Sequence, residues 1–373
     1  MDPQWAMKIF IRIPFFKRYY PLIKRYNWNH YAQFQFNILT LKRRLNLLRP
    51  HHVQWLTTYH CNFKCIHCEA SAGTRNVCEL TTEEAFNLVD QLKVTGVKSI
   101  MLSGGEPLVR KDIFLIIKYI LDRGLTYSIA SNGFLVDQFK EQFRTMKPTL
   151  YFTSIDGLEK TNDEIRGVNG AFKKCLKAVK FFQDIGIEKR IINTVVLPNN
   201  ISQLPELKKI IQDSGATLWR IAVPIPVGRA KDNEHLSLSK EQMKYLFEFI
   251  QTAKNELPIE LSEDAGYLGC LESELRDIPF FCGAGLSYCA IMPDGEVLGC
   301  QIAYDTTFSE GNIRTRSFNE IWHQGFSRFR EPQFEPSCSA CKYLNACRGG
   351  CWGMRLGNKH CHKEVWDEKT PDQ

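Results

Sequence analysis

Residues 53–68 read VQWLTTYHCNFKCIHC, and residues 99–107 read SIMLSGGEP. In each stretch, a short run of apolar and β-branched residues ends in a loop rich in polar residues, cysteines or glycines. A segment at about 81–95, whose apolar residues have helical spacing, lies between the two runs. A strand, a helix and a second strand in this order predict a parallel βαβ unit with a right-handed crossover.

The same alternation continues along the chain. Strands are predicted at residues 53–59, 99–103, 126–131, 150–155, 191–197 and 218–224. Helices are predicted at about 81–95, 111–123, 135–146, 171–185, 203–214 and 239–255. Six units are fewer than the eight of a complete TIM barrel. We therefore predict an α/β fold, a partial (β/α)6 TIM-like barrel, with the alternation ending near residue 256.

Composition narrows the class of protein. The 373 residues are 44% hydrophobic and 24% charged, as in a soluble globular protein. No apolar run is long enough for a membrane-spanning helix. Arg12 and Lys17 interrupt the N-terminal apolar residues, so we expect no secretory signal and a cytoplasmic location. Because cytosolic thiols stay reduced, the 14 cysteines indicate metal binding rather than disulfides.

Three cysteines follow the first predicted strand. Cys61, Cys65 and Cys68 form a C-x3-C-x2-C motif at the carboxyl end of a barrel strand, where such folds carry their chemistry. Three thiolates are one short of the four ligands of structural zinc. They suit a 4Fe–4S cluster in which one iron has no protein ligand. A zinc site completed by His60 or His67 is the alternative.

This motif resembles the signature of the radical SAM superfamily, and further matches follow in order over residues 53–225. Gly104-Gly105-Glu106-Pro107 resembles the GGEP motif, and Ser154-Ile155-Asp156-Gly157 with Arg166-Gly167 resembles the SxDG…RG segment. His67 is a departure, because the family usually has an aromatic residue there. The resemblance implies that S-adenosylmethionine is bound by His67, Gly104, Gly105, Glu106, Pro107, Ser131, Asn132, Ser154, Asp156, Arg166 and Asn193.

The resemblance also implies a role for each part of this set. Glu106 receives the amino group of S-adenosylmethionine, and Ser131-Asn132 hold the ribose and carboxylate. Ser154 and Arg166 reach the methionine carboxylate, to which a guanidinium offers a bidentate fork. The paired glycines would let the backbone approach a ligand that a Cβ would block.

A second set of cysteines occupies the C-terminal region and is similar to the SPASM domain. Its pattern is Cys282-x12-Gly295-x4-Cys300, then Cys338-x2-Cys341-x5-Cys347-x3-Cys351, then Cys361. The similarity implies two auxiliary 4Fe–4S clusters in a small cysteine-rich iron–sulfur domain after the barrel. The interleaved pattern of that family implies Cys282, Cys289, Cys300 and Cys351 as ligands of the first, and Cys338, Cys341, Cys347 and Cys361 as ligands of the second. If Cys289 is not a ligand, the first cluster has an open iron. A zinc ribbon at 338–351 is the alternative.

Together these resemblances imply an enzyme that generates a 5′-deoxyadenosyl radical for hydrogen abstraction, and that oxidatively modifies or cross-links a peptide or protein. A reducing partner such as flavodoxin or ferredoxin is implied. One alternative is formylglycine formation as in sulfatase maturases, although Gln301 occupies the position of their usual aspartate. Another is haem or redox-cofactor biosynthesis, whose enzymes share the Val227-Gly228-Arg229-Ala230 segment. A cluster-binding scaffold without turnover is the non-enzyme alternative.

Residues 1–50 form a basic, aromatic extension. They contain ten Lys and Arg residues and one acidic residue, Asp2, and so carry a net charge of +9, whereas the rest of the chain carries −2. The extension either packs on the barrel, makes a peripheral membrane contact, or binds an acidic leader peptide or partner. The slightly acidic remainder argues against nucleic-acid binding. We expect residues 51–255 to form the radical SAM core and residues 256–373 the linker and SPASM domain.

Overall fold

The computed structural model describes residues 48–356 except 74–76, 232, 279, 303–305, 332–333 and 335, together with 361, 362 and 365. The proposed membrane or partner contact of the N-terminal extension therefore falls almost wholly outside the described residues. Leu48, near the end of that extension, is buried, and its carbonyl accepts a hydrogen bond from Trp322 Nε1 at 3.0 Å. Within the described ranges, no helix has the length and apolar character needed to cross a bilayer.

The described residues form one ten-stranded sheet. Its strands are β1 (His52–Leu56), β2 (Ser99–Ser103), β3 (Thr126–Ala130), β4 (Leu150–Ser154), β5 (Lys189–Val195), β6 (Leu218–Ala222), β7 (Ile259–Leu261), β8 (Tyr288–Ile291), β9 (Glu296–Leu298) and β10 (Ser309–Asn312). The spatial order is β10-β9-β8-β1-β2-β3-β4-β5-β6-β7. Strands β1 to β7 are parallel in sequence order, which confirms the predicted α/β class and the six βα units.

The sheet continues beyond residue 256, where the sequence pattern predicted that the alternation ends. Strand β7 pairs in parallel with β6, and β8 pairs in parallel with β1 on the opposite side of the barrel. Strands β8, β9 and β10 are antiparallel to one another. The cysteine-rich region is therefore hydrogen-bonded directly to the first strand of the barrel. Periodicity missed β7 because a three-residue strand is too short to show an alternating pattern.

Helices connect the strands of the barrel, and several of them, among them Ile113–Asp122, Ala171–Asp184 and Lys240–Ala253, pack against the sheet. Those described are α1 (Thr82–Thr95), α2 (Ile113–Asp122), α3 (Lys140–Thr145), α4 (Glu159–Arg166), α5 (Ala171–Asp184), α6 (Leu204–Asp213), α7 (Lys240–Ala253), α8 (Glu272–Leu275), α9 (Phe318–Gln324), α10 (Ser327–Arg330), α11 (Pro336–Ser339), α12 (Leu344–Cys347) and α13 (Trp352–Leu356). Helix α1 begins at a capping box between Thr81 and Glu84 and ends at Gly96, whose φ is 96°. The short polar helix α4 was not predicted from the sequence.

The two faces of the sheet have different chemistry. Because side chains alternate along a strand, Val53, Trp55, Ile100 and Leu102 share the outer face and are completely buried, or nearly so, against the helices. The residues between them face the interior of the barrel. Strand register therefore decides which residues reach the interior, and the loops at the carboxyl ends of the strands surround its mouth.

Candidate active site

The three-cysteine loop after β1 is held by the C-terminal end of α4. Lys64 N donates to Arg166 O at 3.2 Å, and Ile66 N donates to Ile165 O at 3.0 Å. Gly167 follows with φ of 70°, and a Cβ there would lie 3.2 Å from Lys64 O. The Arg-Gly pair identified in the sequence thus ends a helix and also supports the cysteine loop.

The thiols of this loop lie in a largely buried environment. Burial raises the pKa of Cys61 to about 12. Burial also raises the pKa of Cys65, although the charge of Arg166, whose Nη1 lies 3.8 Å from Cys65 Sγ, opposes the increase. Because thiolates are the metal-binding form, metal binding here must release protons.

The arrangement fits a cluster better than a single zinc ion. In the described part of the chain, no three Cys, His, Asp or Glu side chains converge on one metal position. A zinc ion needs all its ligands within about 2.3 Å of a single point. The thiolates of a 4Fe–4S cluster each bind a different iron, so they need not converge in this way. Cys61, Cys65 and Cys68 would hold such a cluster.

His67 contacts the protein rather than standing free for a ligand. Its Nε2 lies 2.8 Å from Asp156 Oδ2, and Arg166 Nη2 lies 2.6 Å from the same oxygen. Burial raises the pKa of Asp156, but Arg166 and His67 more than offset this, so the pKa is below its ordinary value. The cysteine loop is thereby connected to the loop after β4 through a completely buried carboxylate. Contact between His67 and adenine remains a prediction.

Arg166 has an orphaned buried atom. Its Nε has no hydrogen-bond partner among the described residues. A buried guanidinium with an unused donor can accommodate an anionic group. This observation fits the predicted contact with the methionine carboxylate, which stays a prediction.

Glu106 joins the loops that follow β2 and β3. One carboxylate oxygen, Oε1, accepts hydrogen bonds from Ser131 Oγ at 2.9 Å and Leu108 N at 3.0 Å, and Oε2 accepts one from Asn132 N at 2.7 Å. Burial raises the pKa of Glu106 to about 7, and these hydrogen bonds limit the increase. Pro107, also buried, begins the 3-10 turn Pro107–Val109. The structure thus brings Glu106, Ser131 and Asn132 together through direct contact with one another, and their contacts with S-adenosylmethionine stay predictions.

The paired glycines are required by the chain itself. Gly105 N donates to Thr58 O at 2.8 Å, and Glu106 N donates to His60 O at 2.9 Å. A Cβ at Gly104 would lie 2.5 Å from Thr58 O, and one at Gly105 would overlap His60 O. This gives a second reason for the glycines, beside the close approach to a ligand predicted from the sequence, which stays a prediction. The two glycines allow the loops after β1 and β2 to pair.

A row of polar residues crosses the inner face of the sheet. Ser154 is in register with Asn193, Asn193 with Arg220, and Arg220 with Glu260. The sequence analysis predicted Ser154 and Asn193 but missed Arg220, which forms an ion pair with Glu263. A charged residue within a buried parallel strand, here in LWRIA, is the sequence feature that would have identified it.

The structure separates Cys289 from the other cysteines assigned to the first auxiliary cluster. Cys289 is in register with Val53 on the outer face of β8, and it is completely buried. Its neighbour Tyr288 lies on the inner face, stacked on His52 with ring centroids 5.5 Å apart. The assignment of Cys289 as a ligand is thus contradicted, because adjacent side chains in a strand point to opposite faces.

Cys282, Cys300 and Cys351 remain close to one another. Burial raises the pKa of both Cys300 and Cys351, and Cys282 adds to the increase in each. The same three thiols, after burial itself, raise the pKa of Tyr288. The inner face of β8 is therefore directed towards a three-cysteine group.

The last cysteines form a separate group. Burial raises the pKa of Cys347 to about 12, and Cys361, Cys338 and Cys341 increase it further. These are the four residues that the sequence analysis assigned to the second auxiliary cluster. Of the three unassigned cysteines, Cys175 is a buried core residue 3.1 Å from Thr153 Oγ1, while Cys78 and Cys270 are exposed.

Comparisons with known proteins agree with this geometry. Residues 55–211 match the Radical SAM superfamily, and residues 282–342 match the SPASM family, an iron–sulfur cluster-binding domain. An AdoMet-dependent heme synthase from Oleidesulfovibrio alaskensis is 29% identical over 337 residues, covering 84% of this chain and 85% of that protein. Mycofactocin maturase MftC from Mycolicibacterium smegmatis is 30% identical over 312 residues, covering 81% and 78% respectively.

Solved structures show the same fold. SuiB from Streptococcus suis bound to S-adenosylmethionine has a TM-score of 0.67 at 19% identity, covering 87% of this chain and 79% of that chain. SuiB bound to the precursor peptide SuiA gives a TM-score of 0.67 at 20% identity, covering 87% and 78%. This protein belongs to the radical SAM superfamily of enzymes, whose cofactors are a 4Fe–4S cluster and S-adenosylmethionine, and it carries a C-terminal iron–sulfur cluster-binding domain of the SPASM type.

Proposed function

We propose that this protein oxidatively modifies or cross-links a peptide or protein substrate. The observation that carries the proposal is the pairing of β8 with β1, which joins the two cysteine regions through neighbouring strands. Of the relatives, MftC is named as a maturase and SuiB has been crystallised with a precursor peptide. Both precedents support a peptide as the substrate.

Different residues of this chain have different roles in the proposed reaction. Cys61, Cys65 and Cys68 would hold the radical cluster, and Arg166 would orient a carboxylate beside it. When bound, the reduced cluster and S-adenosylmethionine supply a 5′-deoxyadenosyl radical that removes a hydrogen atom from an unactivated C–H bond. The surrounding barrel would keep the substrate away from solvent.

The auxiliary cysteines suit a net two-electron oxidation. The substrate loses one hydrogen atom in the first step, and it must then lose one further electron and one proton. We propose that Cys282, Cys300 and Cys351 would hold an auxiliary cluster, a group that can take up one electron. Glu69, which follows Cys68, contributes to the raised pKa of Cys300, so the radical loop lies within electrostatic range of this group. A one-electron donor such as flavodoxin or ferredoxin would reduce the radical cluster.

The test uses anaerobic protein with S-adenosylmethionine, dithionite and a library of synthetic peptides. We expect peptide-dependent release of 5′-deoxyadenosine, together with product peptides that have lost two hydrogen atoms. The Cys61/Cys65/Cys68→Ala triple variant is the control and should release none. Release of deoxyadenosine with no change in any peptide would contradict the proposal.

Haem biosynthesis is a second candidate, because the heme synthase relative covers as much of the chain as the maturase does. A mixture of porphyrin precursors of haem, tested in the same assay, distinguishes the two. Its consumption, with peptides unchanged, would replace the peptide proposal with this alternative.

A further inference from the structure

Arg229 contacts the cysteine loop, which carries Cys61, Cys65 and Cys68. It lies in the 3-10 turn Gly228–Ala230 that follows β6, whereas the cysteine loop follows β1. Its Nε donates to Cys65 O at 2.7 Å, and its Nη1 donates to Ala72 O at 2.9 Å. Its backbone N donates to Cys68 O at 3.0 Å. One residue thus binds three carbonyls of a single loop.

The neighbours of Arg229 enforce this contact. A Cβ at Gly228, whose φ is 58°, would overlap Cys68 O and Glu69 O. Ala230 is buried in a small core with Ile165, Leu197 and Leu236, and Ile66 of the cysteine loop packs against that core. The glycine permits close approach, and the alanine anchors the turn.

Two supports therefore hold the cysteine loop. Helix α4 offers carbonyl acceptors to the amides of Lys64 and Ile66. Arg229 supplies donors to the carbonyls of Cys65, Cys68 and Ala72. Cys65 is contacted by both supports, because Arg166 lies beside its sulfur. Replacement of the Arg229 side chain removes the donors Nε and Nη1 to Cys65 O and Ala72 O, while the backbone N of residue 229 and the amide contacts of the loop remain.

We propose that Arg229 is a positioning residue that fixes the cysteine loop in the conformation that holds the radical cluster. A guanidinium serves this purpose because its donors have a fixed, planar geometry that can satisfy two carbonyls at once. Lysine keeps the positive charge, but its donors all lie on one ammonium nitrogen and lack this planar geometry. The inference rests on the radical-cluster assignment within the proposed function, and its test needs no substrate.

The experiment compares wild type with Arg229→Met and Arg229→Lys after anaerobic reconstitution. Iron per chain is measured, together with the electron paramagnetic resonance spectrum of the reduced protein with and without S-adenosylmethionine. We expect Arg229→Met to lose the iron of one cluster and the spectral response to S-adenosylmethionine, while the auxiliary signals persist. Arg229→Lys should lie between the two. In the cluster-free proteins, hydrogen exchange across residues 61–73 should be faster by about tenfold in Arg229→Met.

Two control variants test whether the effect is specific. Arg190 donates through Nε to Gly215 O at 2.6 Å at the amino end of β5, so Arg190→Met removes a carbonyl-binding arginine at the opposite end of the parallel strands from the loop that carries Cys61, Cys65 and Cys68. Lys231→Met removes an exposed charge two residues after Arg229. Both should keep all three clusters.

Full iron and unchanged exchange in Arg229→Met would overturn the proposal. Parallel loss of all three clusters in that variant would also overturn it, because the residue would then serve general stability. If the clusters behave as expected but no peptide is modified, only the proposed substrate class fails.

Discussion

Tyr288 and Cys289 are adjacent in β8 but lie on opposite faces of the sheet. Tyr288 stacks on His52 on the inner face of the sheet, and Cys289 lies beside Val53 on the outer face. Strand alternation thus removes Cys289 from the auxiliary cysteines and leaves Cys282, Cys300 and Cys351. Tyr288, not Cys289, is the residue of β8 directed towards that group.

Replacement of Cys289 by alanine should therefore leave the iron content unchanged. The variant removes one buried sulfur from the core, so we expect a destabilisation of about 1 kcal/mol. Cys300→Ala is the matched control and should lose one cluster. Iron and sulfide quantification after anaerobic reconstitution checks both. Loss of a cluster in Cys289→Ala would restore the assignment made from sequence.

Glu106→Gln should destabilise the loops after β2 and β3. The amide nitrogen of glutamine cannot accept the hydrogen bond from Asn132 N, so we expect a loss of about 1–3 kcal/mol from the free energy of unfolding. Because burial raises the pKa of Glu106 to about 7, wild type should lose stability between about pH 4.5 and 7, where the carboxyl is ionised in the unfolded state but still protonated in the folded state. The glutamine variant should lack this loss.

Thermal unfolding of both proteins across that pH range measures the difference. Calorimetric titration with S-adenosylmethionine, at a temperature where both are folded, then tests the predicted contact with the amino group. Unchanged affinity in Glu106→Gln would show that the carboxylate serves only to join the two loops.

The ion pair between Glu84 and Arg314 should stabilise the protein above about pH 4.5. Arg314 binds both oxygens of Glu84, at 2.6 and 2.8 Å, and connects the loop after β10 to the start of α1. The hydrogen bonds from Arg314 lower the pKa of Glu84 to about 2. The contribution is therefore fully present above the unfolded value and is lost as the pH falls towards 2.

Arg314→Met should abolish this part of the acid sensitivity. Both side chains are about one third exposed, so solvent screening limits the effect to about 1 kcal/mol. The melting temperatures of wild type and variant, compared at pH 6 and pH 4, should differ more at pH 6. Lys118→Met, which removes the exposed pair with Asp122 on α2, is the control and should change neither value. An equal difference at both pH values would contradict the prediction.

Arg276→Met should be strongly destabilising. Arg276 and Glu272 form a buried ion pair at 2.9 Å, and Arg276 also donates to the carbonyls of Leu261, Ser262 and Gly266. Removal of one partner leaves a buried charge, at a cost of about 3–5 kcal/mol. Urea unfolding of Arg276→Met, Glu272→Leu and the double variant measures this. The double variant should be less destabilised than the sum of the single variants, whereas simple additivity would argue against coupling.

The sequence was sufficient for the class of fold and for the main candidate residues. Alternation of strand and helix patterns is local, so it predicted β1 to β6 without knowledge of the tertiary structure. The spacing of Cys61, Cys65 and Cys68 is likewise a property of one short segment, and so is the pattern from Cys338 to Cys351. Such features can be identified from the sequence because the residues that act together are close along the chain.

Only the tertiary structure decided which residues share a face or meet across the barrel. Cys289 fits the cysteine count, yet the register of β8 against β1 turns it away from the other thiols. Neither Arg220 nor Arg229 belongs to a short sequence motif that predicts its contacts. Arg229, for example, binds a loop that lies more than 150 residues earlier in the chain. The glycines at 104 and 105 serve contacts with residues 58 and 60, across paired loops. Local pattern determines elements, whereas register and loop packing determine which distant side chains come together.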